Sequence, residues 1–450
     1  MTLYDAIVIG TGQSGPSLAV RLAAAGRRVA IVERKRFGGT CVNTGCIPTK
    51  ALVASARAAW VARHAADWGV SAGGPVTVDM NKVKARKDAI VRQYAEGIKS
   101  WLEGAANCTV HQGHARLEGR HTVRVGDEVM KAPLIFLNVG GRAAAPPIPG
   151  LDTVPYLNNT SILEIDFLPE HLVILGGGYI ACEFAQMYRR FGSDVTVIER
   201  GPRLLSREDP DVSEAVREIF DSEGIRVLAN ASIVRVSRPA AVETTAGNVP
   251  GSHLLVALGR APNTHDLGLD RAGIAVDGRG FIQVDDRLQT SVPGVYALGD
   301  CNGRGGFTHT SYNDYEIVAA NLLDGGSRRV SDRIPAYAVY IDPPLGRAGM
   351  TETQVRASGK KALIGKWPMA RVGRAVERGE TKGFFKVLVD AETNLILGAA
   401  LLGIECDEVI HSILDVMYAG APYTVISRAM HIHPTVSELI PTVLQNLTPL

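Results

Sequence analysis

Cysteine is scarce in this chain, with six residues in 450. A small secreted fold stapled by disulfides would carry far more, so a disulfide framework is excluded as the source of stability. An excess of either charge is also missing, since Lys plus Arg number 48 and Asp plus Glu 46. That balance argues against a nucleic-acid partner or a polybasic membrane anchor. No apolar run reaches the roughly 18 residues that cross a bilayer. The N-terminus leads directly into an apolar strand at Tyr4–Ile9, without the basic stretch, apolar segment and cleavage site of a secretory leader. The expectation is a cytoplasmic globular protein with neither a nucleic-acid nor a membrane partner. In that compartment a disulfide is normally transient and catalytic.

Glycine, by contrast, is abundant at 48 residues, and part of it falls in an internal repeat. The first copy runs strand, Gly10-Thr-Gly12-Gln-Ser-Gly15, helix, strand ending at Glu33. The second runs strand, Gly176-Gly-Gly178-Tyr-Ile-Ala181, helix, strand ending at Glu199. First glycine and terminal acid are 23 residues apart in both copies (33 − 10 and 199 − 176). One such motif is weak evidence; two complete copies are strong. The first glycine permits the tight turn, the second lets backbone approach a pyrophosphate, and the third position must be small for helix to pack on strand. The pyrophosphate would lie at the helix N-terminus and the acid on a ribose.

Two of the six cysteines stand with four residues between them, in Gly38-Gly39-Thr40-Cys41-Val-Asn-Thr-Gly-Cys46-Ile-Pro-Thr-Lys50. Following a nucleotide fingerprint, the pair reads as an electron relay. A structural disulfide or two buried thiols are the alternatives, and a zinc site lacks a second ligand pair at the right spacing. No resident metal is expected. A helix starting near Cys46, with Pro48 in its first turn, would favour the reactive thiolate. Electrons would pass from a nicotinamide on the second unit to a flavin on the first, and then to the dithiol. Such a relay needs a proton shuttle, which a histidine tuned by a carboxylate supplies best. His433 and Glu438, in His431-Ile-His433-Pro434-Thr435-Val-Ser-Glu438, fit that role, although the pattern also suits a capped helix start.

Elsewhere, a charged helix is expected over about 81–103 with a solvated basic face. Gly140–Gly150 reads as a Pro/Gly/Ala linker at a domain boundary, and a second crossing lies near Leu258–Asn263. Beyond about residue 335, alternating strands and helices suggest an α+β domain. Cys108, Cys182, Cys301 and Cys406 read as small packed residues. Tyr337 and Tyr340 are expected to pack in a core, with lining of the substrate channel as the alternative.

With these residues in view, the sequence resembles the pyridine nucleotide–disulfide oxidoreductases over essentially its whole length. That family includes dihydrolipoamide dehydrogenase, glutathione reductase and mercuric reductase. The resemblance is carried, in family order, by residues 38–50, by Gly176–Glu183, by Gly299-Asp300 and by His433–Glu438. It implies an α/β fold with two Rossmann-like dinucleotide-binding domains, for FAD and NAD(P), plus a C-terminal α+β dimerisation domain. The expected divisions are 1–148 and 265–335 for the FAD domain, 149–264 for NAD(P) and 336–450 for dimerisation.

The resemblance further implies that Cys46 lies next to the flavin and that Cys41 attacks substrate. His433, oriented by Glu438, would act as acid/base from the partner subunit of a homodimer, so each active site would need both chains. Lys50 and Glu183 would form an ion pair near the flavin. Gly10, Gly12, Gly15, Glu33, Gly39, Thr40, Lys50, Gly141, Asp300, Thr308 and His309 would contact FAD. Gly176, Gly178, Tyr179, Ile180, Glu183, Glu199, Arg200 and Gly259 would contact NAD(P), with Tyr179 gating the nicotinamide pocket. Glu199 favours NADH, while Arg200 and Arg203 could hold the extra phosphate of NADPH.

The C-terminal cysteine pair of mercuric reductases is missing, because the last cysteine is Cys406. Residues Gly299–Tyr315 instead resemble a mercuric-reductase-like branch that includes reactive-chlorine-resistance flavoenzymes linked to metal-ion reduction. The expected activity is NAD(P)H-dependent, FAD-mediated reduction of a small disulfide or metal ion through Cys41 and Cys46. Dihydrolipoamide dehydrogenase is the alternative enzyme, and a redox-sensing flavoprotein without turnover the alternative of another class.

Overall fold

Strands that are apolar at successive positions must be covered on both faces. In the computed structural model, which describes residues 1–71 and 73–450, Ala6–Ile9 and Val29–Glu33 are buried at every position. They belong to a five-stranded sheet ordered Val295–Ala297, Leu134–Leu137, Ala6–Ile9, Val29–Glu33, Cys108–Gln112. All its neighbours pair in parallel. Helix α1 (Gly15–Ala24) joins the first two strands in sequence. Then come α2 (Gly39–Thr44), α3 (Cys46–Arg63) and α4 (Met80–Glu103). Most of α4 is solvated, as its charge suggests, but Lys87 is buried.

A second parallel sheet is ordered Arg226–Leu228, Asp194–Ile198, His171–Leu175, His253–Val256. Its first crossover helix is α5 (Tyr179–Phe191), buried along most of its length. The repeat holds to the atom. Gly10 has φ 104° and Gly176 φ 103°, a region that side chains avoid. A Cβ at Gly10 would meet the Asn138 carbonyl at 2.2 Å, and one at Gly176 the Ala257 carbonyl at 2.7 Å. Asn138 and Ala257 each follow the next parallel strand of their own sheet.

The expected linker at Gly140–Gly150 is corrected. Gly141–Ala143 is a strand, paired antiparallel with Arg260–Pro262. The two crossings between units therefore hydrogen-bond to each other, which satisfies backbone groups that a free linker would leave to water. Two further small sheets were not foreseen: a mixed four-stranded one with Ala115–Gly119 at its edge, in which Thr2–Leu3 pairs in parallel with Glu128–Lys131, and an antiparallel three-stranded one that includes Ile233–Ser237.

The C-terminal part forms a six-stranded antiparallel sheet ordered Ala336–Val339, Leu345–Gly349, Ile396–Leu402, Phe384–Asp390, Ala362–Pro368, Thr448–Pro449. Helix Cys406–Tyr418 packs on it. Buried charges fasten it to the rest. Lys386 donates to Asp209 (3.0 Å), Asp211 (2.7 Å) and Glu352 (3.2 Å). Arg57 of α3 and Arg190 of α5 both pair with Asp342. Among the described residues, no helix is long and apolar enough to cross a membrane.

Candidate active site

One cavity of about 1660 Å³ runs from the first glycine turn to the two cysteines. Gly10, Gly12, Glu33, Gly39, Thr40, Gly141 and Asp300 line it, as do Cys41, Cys46, Lys50, Thr308 and His309. Gly15 stands behind the turn, where a Cβ would meet the Gly10 carbonyl at 2.2 Å. The acid closing each strand grips its own turn in the same way. Glu33 Oε2 accepts from Thr11 N–H (3.1 Å) and Oε1 from Lys35 N–H (2.8 Å). Glu199 Oε2 accepts from Gly177 N–H (2.6 Å) and Oε1 from Gly201 N–H (2.7 Å).

Three buried or half-buried residues that sequence reasoning missed hold this end together. Asn138 Oδ1 accepts from Gly15 N–H (3.1 Å), and its amide donates to the Leu298 carbonyl (3.0 Å). Asp314 accepts from Gly299 N–H (2.7 Å), which fixes the turn carrying Asp300. Arg260 pairs with Asp300 at 3.3 Å. A lone Asn, Asp or Arg in sequence carries no signal for such contacts.

The elongated cavity, the glycine turn at the start of α1 and the acids at Glu33 and Asp300 fit FAD. Gly12 tests that fit from within: its missing side chain leaves open a wall where a Cβ would lie 2.7 Å from Asn138 Oδ1. The backbone there is free to face a pyrophosphate.

Cys41 lies in α2, and Gly45 breaks the chain direction so that Cys46 opens α3. Both are free, partly exposed thiols. Cys46 is pushed down to about 6, first because the Cys41 thiol donates to it, with Thr308 and Lys50 helping and burial opposing. The same bond pushes Cys41 up, with burial adding to it. The reduced pair therefore holds one proton, and it rests on Cys41. Thr308 Oγ1 stands 3.1 Å from Cys46 Sγ.

One turn into α3, Lys50 Nζ donates to both oxygens of Glu183 (2.8 and 3.0 Å). Glu183 also accepts from Tyr340 N–H (3.0 Å), and the Tyr340 ring lies 4.4 Å from Lys50 Nζ. Tyr337 and Tyr340 are half-buried and line the cavity, Tyr337 packing against the core as well. Phe307 stacks with Tyr337 (5.3 Å) and with His309 (5.4 Å), and Tyr179 lies tilted against it (5.6 Å). His309 Nε2 donates to the Ala336 carbonyl (2.7 Å); burial lowers its pKa, with that hydrogen bond opposing.

From the second unit, Tyr179, Ile180 and Glu183 reach the cavity, whereas Gly176, Gly178, Glu199, Arg200 and Gly259 lie outside its lining. His433 is not brought to the cysteines of its own chain. Its side chain is 78% exposed, and Nδ1 donates to Glu438 at 2.9 Å, which leaves Nε2 free. A carboxylate only accepts, so the proton on Nδ1 is fixed by its partner.

Residues 4–314 match the family model described as pyridine nucleotide-disulphide oxidoreductase, and residues 335–444 match that family's dimerisation domain. The probable pyridine nucleotide-disulfide oxidoreductase RclA of Escherichia coli (strain K12) is 38% identical over 450 residues, covering 97% of this chain and 98% of its own. A dihydrolipoyl dehydrogenase of Thermus scotoductus is 34% identical over 452 residues, covering 97% and 96%. Among solved structures, the Cu(II) complex of the HOCl-induced flavoprotein disulfide reductase RclA from Escherichia coli superimposes with a TM-score of 0.91. It is 37% identical and covers 99% of both chains.

A folded-state pKa of about 6 makes Cys46 a thiolate above that pH and a thiol below it. Alkylation of Cys46 in the reduced protein should therefore rise with pH to a midpoint near 6 and fall about tenfold per unit below it. Peptide mass analysis across a pH series reads this; a midpoint at the free-cysteine value of about 8.5 would contradict it.

Proposed function

Because the chain belongs to the pyridine nucleotide-disulfide oxidoreductase family, whose members use FAD and NAD(P)H, we propose that it reduces a small disulfide or a metal ion through Cys41 and Cys46. The observation that carries this reading is the asymmetric thiol pair at the end of the dinucleotide cavity. Bound FAD would take a hydride from NAD(P)H and return an electron pair to sulfur. Lys50, held by Glu183, supplies positive charge beside Cys46. In the reductive half, the Cys41–Cys46 bond takes two electrons and one proton to give Cys41 thiol and Cys46 thiolate. In the oxidative half, Cys41 loses its proton and attacks the substrate. With a disulfide, that attack breaks the substrate S–S bond, joins one half to Cys41 and releases the other as a thiol once protonated. The Cys46 thiolate then attacks Cys41, re-forming the Cys41–Cys46 bond and releasing the second thiol once protonated. Two one-electron metal ions, or one two-electron ion, would instead take the electron pair as the Cys41–Cys46 bond re-forms.

His433 is the group suited to move the proton at Cys41. Its free Nε2 points to solvent in a single chain, and the chain carries a dimerisation domain. Both observations support a homodimer in which His433 of one subunit meets Cys41 of the other. Glu199 supports NADH as the donor, since its carboxylate sits at the turn where a ribose hydroxyl would bind and would repel a 2′-phosphate. Sparse cysteine content supports a cytoplasmic setting.

The Cu(II) complex of RclA supports metal ions as acceptors, and the dihydrolipoyl dehydrogenases support lipoamide. The intact cysteine, histidine and glutamate set supports turnover over mere sensing. Purified enzyme should be given NADH with lipoamide, glutathione disulfide, Hg(II) or Cu(II) in turn. Turnover is expected with Cu(II) or Hg(II) and to be lost in Cys41→Ser; turnover with lipoamide alone would displace the metal reading.

Mixed dimers address the shared site. Cys41→Ser and His433→Gln homodimers should each lose about 10²-fold or more in turnover. Mixing them should restore one working site per dimer, read as recovered NADH oxidation; no recovery would place both groups in one chain. Separately, Glu199→Gln should raise the NADPH-to-NADH ratio of kcat/KM, and an unchanged ratio would remove Glu199 as the selector.

A further inference from the structure

Two helices begin at the same sulfur. Helix α3 starts with Cys46 and runs 18 residues; the helix Thr308–Leu323 starts with Thr308 and runs 16. Between their first residues lies the 3.1 Å contact of Cys46 Sγ with Thr308 Oγ1. The Thr308 hydroxyl is placed to donate to that sulfur. It also lies near enough to the Cys41 thiol to lower the pKa there, so it favours negative charge on the pair, with its contact on the Cys46 side.

We propose that Thr308 is a thiolate-stabilising residue of the relay, its hydroxyl donating to Cys46 Sγ in the reduced enzyme and so favouring the thiolate there. The inference rests on Cys46 being the relay thiol. It assigns the Thr308 side chain to sulfur, where the resemblance implied only a contact with FAD. A bond to a charged acceptor is stronger than one between neutral groups, so it favours the thiolate over the thiol. Thr308 acts on Cys46 in the same direction as Cys41 and Lys50.

The surroundings hold the hydroxyl in place. Thr310 Oγ1 donates to the Phe307 carbonyl (2.8 Å) and accepts from Phe307 N–H (3.2 Å). The Phe307 ring is clamped between Tyr337 and His309, and His309 is tied to Ala336. Residues on both sides of Thr308 are thus held by contacts that do not involve Cys46, so the hydroxyl is positioned independently of the charge on the sulfur.

Thr308→Val keeps the shape and removes the proton; Thr308→Ser keeps the proton and removes the methyl group. In reduced holoenzyme, the alkylation midpoint of Cys46 should rise by about one pH unit or more in Thr308→Val. Thr308→Ser should return it to the parent value, and Thr308→Ala, which lacks the branched bulk, should repeat the rise. An unchanged midpoint in the valine and alanine variants, or a serine variant that behaves like valine, would overturn the assignment. The long-wavelength absorbance of NADH-reduced enzyme separates the two levels of the reading. If Cys46→Ser leaves that band intact, the relay itself fails. If the band needs Cys46 while Thr308→Val shifts nothing, only the role of Thr308 fails.

Discussion

The buried carboxylate of Glu183 is the point on which the three parts of this protein converge. It lies on α5 of the second nucleotide unit, takes the ammonium of Lys50 from α3 of the first, and takes a backbone N–H at Tyr340 from the C-terminal part. Only about 4% of its side chain is exposed, against 30% for Lys50. A carboxylate at that depth is tolerated only with its partners present; removing one partner of a buried pair typically costs about 3–5 kcal/mol. Placing Lys50 beside Cys46 therefore requires that all three parts be folded and docked. Electrostatics at the sulfur and assembly of the molecule are the same event.

The neighbouring ion clusters extend that principle. Arg57 and Arg190 reach Asp342 from two different helices, and Lys386 gathers three carboxylates. Each set crosses a boundary between units, and each contains residues that are nearly inaccessible to water. Buried ion networks add little stability against well-packed apolar contacts, but they tolerate only the arrangement that satisfies every member. Here that strictness fixes how the second unit meets the first unit and the C-terminal part.

Sequence reasoning recovers what has a local period or a fixed spacing. Both glycine turns, their terminal acids, the start of α3 at Cys46 and the charged α4 are legible for that reason. It fails where contacts are remote and carried by common residues. Asn138 clips two segments far apart in the chain, and Asp314 holds the N–H of Gly299, 15 residues earlier (314 − 299), yet no residue spacing announces either contact. For Tyr337 and Tyr340 the sequence leaves core and cavity both open, because strand alternation says which residues share a face but not what that face meets. The roles of His433 and Glu438 come from resemblance; the chain itself offers an exposed imidazole and its carboxylate.

The ribbon formed by Gly141–Ala143 and Arg260–Pro262 has a bearing on how such a molecule is put together. The chain leaves the first unit and re-enters it side by side, so the covalent entry to and exit from the second unit run through one two-stranded ribbon. An insertion whose ends meet imposes no stretch on its host. The flavin half could then have existed before its electron donor's domain was spliced in, and a different donor module could be exchanged at the same ribbon without rethreading the core.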